Sequence, residues 1–203
     1  MPLWGRKRRR PVAVAITGGI GAGKSELLRA FARHGAAVVS SDEIVHRLLR
    51  EDAEVKAAIL ERLGEDVLRA DGEIDRAAVG RVVFAERAEL DWLESLLHPR
   101  VSAEYLRWRA DLAELPDPPA VCVTEVPLLY ESGGERRFDV VVVVTASPEA
   151  RAARVSRPDL ALREQRLLPE EEKLRRADFT FVNDGGLEQL DAFAAEVMAT
   201  LTG

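Results

Sequence analysis

Residues 12–25 read VAVAITGGIGAGKS: an apolar run, Val12 to Thr17, meets Gly18-x-x-x-x-Gly23-Lys24-Ser25, and a helical pattern opens at Glu26. Strand, glycine loop and helix in that order form the context that a Walker A phosphate loop requires. Backbone N–H groups of such a loop point into a concavity suited to an anion, and the following helix adds its positive N-terminal end. Glycine is needed because a Cβ would block close approach of the phosphates and the positive φ angles of the turn. A Rossmann dinucleotide loop fails on spacing, since Gly19 and Gly21 would need a third glycine at position 24, where Lys24 stands. The residues expected to bind ATP are therefore Gly19, Ile20, Gly21, Ala22, Gly23, Lys24, Ser25 and Glu26. Lys24 would reach the β- and γ-phosphates, and the Ser25 hydroxyl would coordinate Mg²⁺. A glycine-rich turn without a ligand is the bland alternative.

The pattern after the loop predicts an α/β fold: a three-layer parallel-sheet P-loop core with a helical substrate-binding insertion and a short lid. A helix is expected over 24–34, stopped by Gly35, then a strand over 36–40 that ends at Ser41-Asp42. Asp42 opens a helix, and Asp is a favoured N-cap. In an open α/β sheet, however, ligands sit beyond the carboxyl ends of strands, where a carboxylate can accept a proton from an attacking hydroxyl or help hold Mg²⁺. From 51 to 116 the βα alternation lapses into helical patterns at 55–63, 76–84 and 90–112, with His98-Pro99 expected to interrupt the last. On chemistry alone His98 is a helix-terminal residue before it is a ligand contact. The expected organisation is a basic leader over 1–10, a core over 11–50 and 117–203 with its lid at about 155–170, and a helical acceptor-binding insertion over 51–116.

Strands return at 121–124 and 138–145, the latter apolar on both faces like a central parallel strand. Glu125, directly after the first of these, is a candidate Mg²⁺ acid acting through water. An arginine-rich run (Arg151, Arg154, Arg157, Arg163, Arg166) follows a helix start at Ser147-Pro148-Glu149. Charge runs are usually solvated faces, but a kinase needs cations that close over the transferring phosphoryl group. A last strand over 179–182 and a C-terminal helix complete the pattern.

Charge narrows the partners. The net charge is −6, with 29 basic and 35 acidic residues, and the RKRRR stretch at 6–10 conceals a more acidic body. An acidic body argues against a nucleic-acid-binding surface, and the basic stretch reads as a solvated leader. No secretory signal is expected, because the basic stretch runs through a short strand into the phosphate loop. The aliphatic run at 140–144 is far too short to cross a membrane. The single cysteine, Cys122, fits a reducing cytoplasm and reads as a small core residue.

Taken together, ITGGIGAGKS, VVSSDEIVHRLL, LGEDVLRADGEIDRAAVGRVVF, LLHPRV, VPLLYESG, FDVVVVV and KLRRADFTFVNDG resemble dephospho-coenzyme A kinase, in that order and from Val12 to the C-terminus. The resemblance implies transfer of the γ-phosphoryl of ATP to the ribose 3′-hydroxyl of dephospho-coenzyme A, the last step of coenzyme A synthesis, in the cytoplasm, with Mg²⁺ and as a monomer. It implies that Asp42 and Lys24 are the catalytic residues. Arg154 and Arg157 become the lid and phosphate residues, and Asp42, His98 and Leu128 the acceptor-binding set. Asn183 falls in the loop that borders the adenine. The family often carries Asp-x-Asp where this chain has Ser40-Ser41-Asp42, so the base is kept and its first companion lost. Three rivals stand beside this reading. Another small-molecule kinase of the same group is one. A GTPase-like switch is the second, and it would call for an Asn-Lys-x-Asp sequence that this chain lacks. A non-catalytic nucleotide-binding module is the third.

Overall fold

The computed structural model describes residues 10–155 and 167–203. They fall into two compact units, one formed by the chain up to Ser40 and from Trp108 onward, the other by Ser41–Arg107.

The first unit is built on five parallel strands: β1 (Val12–Gly18), β2 (Ala37–Ser40), β3 (Val121–Glu125), β4 (Val140–Thr145) and β5 (Phe179–Val182). Their order across the sheet is β2-β3-β1-β4-β5. β1 is therefore flanked on both sides, with Ile16 opposite Glu125 of β3 and Gly18 opposite Val144 of β4. Strand alternation sends successive side chains to opposite faces. Val14 and Ile16 pack with Val121, Val123, Val142 and Val144 against α1 (Lys24–Arg33) and the C-terminal helix, while Ala15, Val141 and Val143 pack on the other face against Leu129 and Tyr130. Both faces are covered, which is why these strands read as near-continuous apolar runs. The result is the three-layer parallel sheet that the sequence predicts. Cys122 lies in this core, where burial pushes its thiol up to about 11 and keeps it protonated.

The second unit holds α2 (Ser41–Glu51), α3 (Ala53–Leu63), α4 (Arg76–Ala85) and most of α5 (Arg87–Ala113). Leu49, Val55, Ile59, Val67, Val79, Val83, Leu90 and Leu97 form its separate core. Asp52 and Asp75 each cap a helix, their carboxylates accepting from two backbone amides. α2 belongs here, so this unit opens at Ser41 and not at the residue 51 expected for the insertion. Helix α2 also begins at Ser41, which puts Asp42 inside its first turn instead of at the cap.

The expected break at His98-Pro99 does not occur: α5 runs 27 residues with Pro99 inside it. A proline ring denies the helix one hydrogen bond. Side chains in this turn bond to its carbonyls, Ser95 Oγ donating to Trp92 O at 2.7 Å and Arg100 Nη1 to Leu96 O at 3.1 Å. Burial of Leu97 and Val101, either side of the proline, further favours continuity.

Of the basic leader, Arg10 is described, and it donates two hydrogen bonds to Asp139 at 2.9 and 2.7 Å. The rest of that leader lies outside the described residues. The end of β1 yields a test. Gly18 has φ of +146°, and a Cβ there would lie 1.9 Å from the carbonyl oxygen of Val144. Gly18→Ala is expected to lose about 3 kcal/mol or more of stability in denaturant unfolding, and an unchanged midpoint would contradict this packing.

Candidate active site

The glycine loop leaves the C-terminal end of β1 and feeds α1. Gly23, with φ of +99°, stands at the N-terminus of that helix, and a Cβ on it would lie 2.2 Å from Asn183 Nδ2. Glycine is therefore demanded twice, by the backbone angle and by the neighbour. That neighbour braces the loop: Asn183 is 6% exposed and its Nδ2 donates to Ala22 O at 2.8 Å. Next to it, α6 (Pro148–Arg154) sends two arginines to the same loop. Arg151 Nε donates to Ile20 O at 2.9 Å, while Arg154 donates to Gly21 O at 3.4 Å and to Asn183 O at 2.8 Å. Ser147 at the start of α6 is tied in turn to Asp184, its N–H donating to Oδ1 at 2.6 Å. Three consecutive carbonyls of the loop, from Ile20 to Ala22, thus accept from outside it. With these carbonyls engaged from outside, the loop's backbone is held in place.

Lys24 Nζ donates to the carbonyls of Gly18 and Gly19 at 3.3 and 2.8 Å, arching over the loop's first residues. Ser25 Oγ donates to Glu125 Oε1 at 3.2 Å. Glu125 is buried at the end of β3, opposite both Ile16 and Ser40. A hydroxyl beside a carboxylate is a hard-oxygen donor set suited to Mg²⁺, an ion that keeps several waters and leans on substrate phosphates. Among the described residues no group of three or more His, Cys, Asp or Glu could hold a metal ion.

The remaining candidates lie as follows. Glu26 is in the first turn of α1 and accepts from Arg29. Leu128 is half-buried in the turn after β3, and its carbonyl accepts from the Ser132 hydroxyl at 2.8 Å. Asp42 and His98 are exposed residues of the second unit, on α2 and α5. Arg157 and most of the expected lid lie outside the described residues. Beyond this set, a buried ion pair joins Lys173 Nζ to Glu131 Oε1 at 2.7 Å, placing the helix α7 (Glu170–Arg175) against the turn after β3.

Two of these roles were hidden in the sequence. Arg151 was one charge in an arginine run, although its spacing of three from Arg154 puts both on one helical face. Asn183 read as a loop residue, and nothing local shows that its amide would turn toward a segment 161 residues away.

A loop braced in this way, with a lysine over it and a serine–glutamate pair at its helix, fits the phosphate loop that the sequence predicts. The family model for dephospho-CoA kinase matches residues 12–189. The chain belongs to the dephospho-CoA kinase family. It is 37% identical over 194 residues to a dephospho-CoA kinase of Streptomyces avermitilis, covering 93% of each chain. With a Yersinia pestis dephospho-CoA kinase it shares 41% over 152 residues, 75% of this chain and 71% of the other. Among solved structures, TT1252 from Thermus thermophilus superposes with a TM-score of 0.76 at 34% identity, covering 96% of this chain and all of that one. The Campylobacter jejuni dephospho-CoA kinase follows at 0.69 and 25%, covering 94% and 96%. Membership disposes of the GTPase-like switch and of the non-catalytic module. No described helix is long and apolar enough to cross a membrane.

If the brace matters, Asn183→Ala should raise the ATP KM of this dephospho-CoA kinase family member about tenfold, since it orphans a loop carbonyl near the phosphates. A loss confined to thermal stability, with ATP KM unchanged, would show that the loop holds its shape without Asn183.

Proposed function

We propose that this member of the dephospho-CoA kinase family transfers the γ-phosphoryl group of ATP to the ribose 3′-hydroxyl of dephospho-CoA, giving CoA and ADP. The observation that supports the reading is the braced loop itself, which lies between the C-terminal end of the central strand and the N-terminus of α1, with Lys24 Nζ over its first carbonyls. In-line phosphoryl transfer asks for alignment of donor and acceptor and for neutralisation of charge spreading over the phosphate oxygens. Lys24 supplies a cation for the β- and γ-phosphates. Ser25, with Glu125 acting through water, would hold Mg²⁺, which when bound neutralises charge on the phosphate oxygens. Arg154 stands at the same loop and supplies a further positive charge there.

Asp42 is the proposed base. It follows Ser40 by two residues, and Ser40 lies opposite Glu125 in the sheet, so the chain enters α2 from the carboxyl edge of the strands. A carboxylate there orients the 3′-hydroxyl and takes its proton as the O–P bond forms and the bond to the ADP oxygen breaks. Ser40, where the family often has aspartate, contributes no charge, so Asp42 acts without a companion from that position. His98 and Leu128 are proposed acceptor contacts. The monomeric state and cytoplasmic location belong to the same proposal, as does the absence of a nucleic-acid or membrane partner.

Product analysis tests the reaction: with ATP, Mg²⁺ and dephospho-CoA, a new 3′-phosphomonoester should appear in the phosphorus NMR spectrum. A phosphate at any other position would refute the proposed acceptor group. Asp42→Asn should lower kcat about 100-fold or more while ATP affinity stays near wild type, and a variant turning over at the wild-type rate would remove Asp42 as the base.

A further inference from the structure

One buried ion pair takes no part in the phosphate loop. Lys173 of α7 is 2% exposed, and its Nζ lies 2.7 Å from Glu131 Oε1 in the turn after β3. The same Glu131 oxygen accepts from the Leu168 N–H at 2.8 Å. Three residues beyond Lys173, the Arg176 guanidinium stands 4.2 Å from the centroid of the Tyr130 ring and pairs with Glu135. The turn thus offers two acids and a ring, and α7 answers with two cations one turn apart. Leu129 and Tyr130 pack with Leu168 and Leu174 along the same seam. Four of the five buried side-chain polar atoms that lack a hydrogen-bond partner among the described residues lie here: Tyr130 OH, Glu131 Oε2, Glu135 Oε2 and Lys173 Nζ. The Lys173–Glu131 contact is therefore one of charge, without a directed hydrogen bond. Taking two charges out of water for such a contact stabilises little, and an uncharged pair of similar size holds a fold as well or better. What the pair supplies is a position.

The turn that Glu131 closes begins beside the phosphate loop. Val126 N–H donates to Ile16 O at 2.9 Å, and Thr17 Oγ1, one residue before Gly18, donates to Pro127 O at 3.3 Å. Residues 126–131 are therefore fixed to β1 at one end and to α7 at the other, with Leu128 between them. We propose that Glu131 and Lys173 are positioning residues for phosphoryl transfer: their ion pair holds the far end of this turn and so the placement of Leu128 toward the acceptor. The proposal rests on the acceptor reading above, in which Leu128 is an acceptor contact. Apolar packing along the seam is non-directional and lets the turn slide, whereas a buried charge pair defines one register. A displacement of about 1 Å far from the reacting atoms can cost on the order of 100-fold in rate. The nucleotide side does not depend on the pair, because the loop is braced by Arg151, Arg154 and Asn183.

The test compares Glu131→Gln, Lys173→Met and the double variant with the wild-type protein, measuring kcat, KM for dephospho-CoA and for ATP, and the thermal midpoint. Each single variant leaves one charge buried alone and is expected to lower the midpoint. The double variant removes both charges, keeps an oxygen for the Leu168 N–H and preserves side-chain volume, so its midpoint should equal or exceed that of the wild type. Its kcat/KM for dephospho-CoA should nevertheless fall about tenfold or more, with ATP KM unchanged. A double variant with wild-type kcat/KM for dephospho-CoA overturns the proposal. So does one in which the midpoint falls and the parameters for both substrates worsen together, because the pair would then be supporting the fold. Failure of the acceptor reading looks different: the wild-type protein itself would release no ADP in response to dephospho-CoA.

Discussion

Everything at this site depends on how closely the glycine loop is packed by its neighbours. Gly18 lies against the Val144 carbonyl with no room for a Cβ, and Gly23 stands against the Asn183 amide in the same way. A loop packed so tightly onto β4 and onto the segment after β5 has little room to shift, and preorganised donors are the strongest electrostatic tool available to a phosphotransferase. The braces from Arg151, Arg154 and Asn183 complete the arrangement. Each takes a loop carbonyl that would otherwise compete for the amides or seek water, and one brace, Arg154, also holds another, Asn183.

The sheet order puts this construction where chemistry can reach it. β1 sits between β3 and β4, so the loop after β1 has Glu125 on one side and the segment leading to α6 on the other. β2, beyond β3, carries the chain to Ser40 opposite Glu125, and Asp42 follows at once. Four strand ends thus supply the loop, Glu125, the entry to α2 and the arginine brace, in keeping with the placement of ligands at the carboxyl ends of parallel strands. The second unit uses different physics. Its helices carry a core of their own.

Much of this was legible in the sequence, for physical reasons that can be named. The phosphate loop announces itself because glycine spacing, lysine and hydroxyl are all demanded by one ligand. The buried strands announce themselves because a sheet covered on both faces leaves no polar alternation, as in Val140–Thr145. Long-range side-chain commitments did not show. Asn183 and Arg151 spend their hydrogen bonds on a loop more than 130 residues away, and no local pattern encodes that. Pro99 misled because its local cost to a helix is real, while the burial around it and the side-chain bonds to neighbouring carbonyls are tertiary. The beginning of the second unit was missed for a related reason. The apolar face of α2 looks the same whichever core receives it, and Leu49 packs with α3 and α4.

The acceptor decides which reaction the protein catalyses. ADP release from ATP and Mg²⁺ should be followed with dephospho-CoA, adenosine, AMP and shikimate offered in turn at equal concentration. Strong stimulation by dephospho-CoA alone is the predicted result for a member of the dephospho-CoA kinase family. Equal or greater stimulation by any other acceptor, or none by dephospho-CoA, would contradict the account.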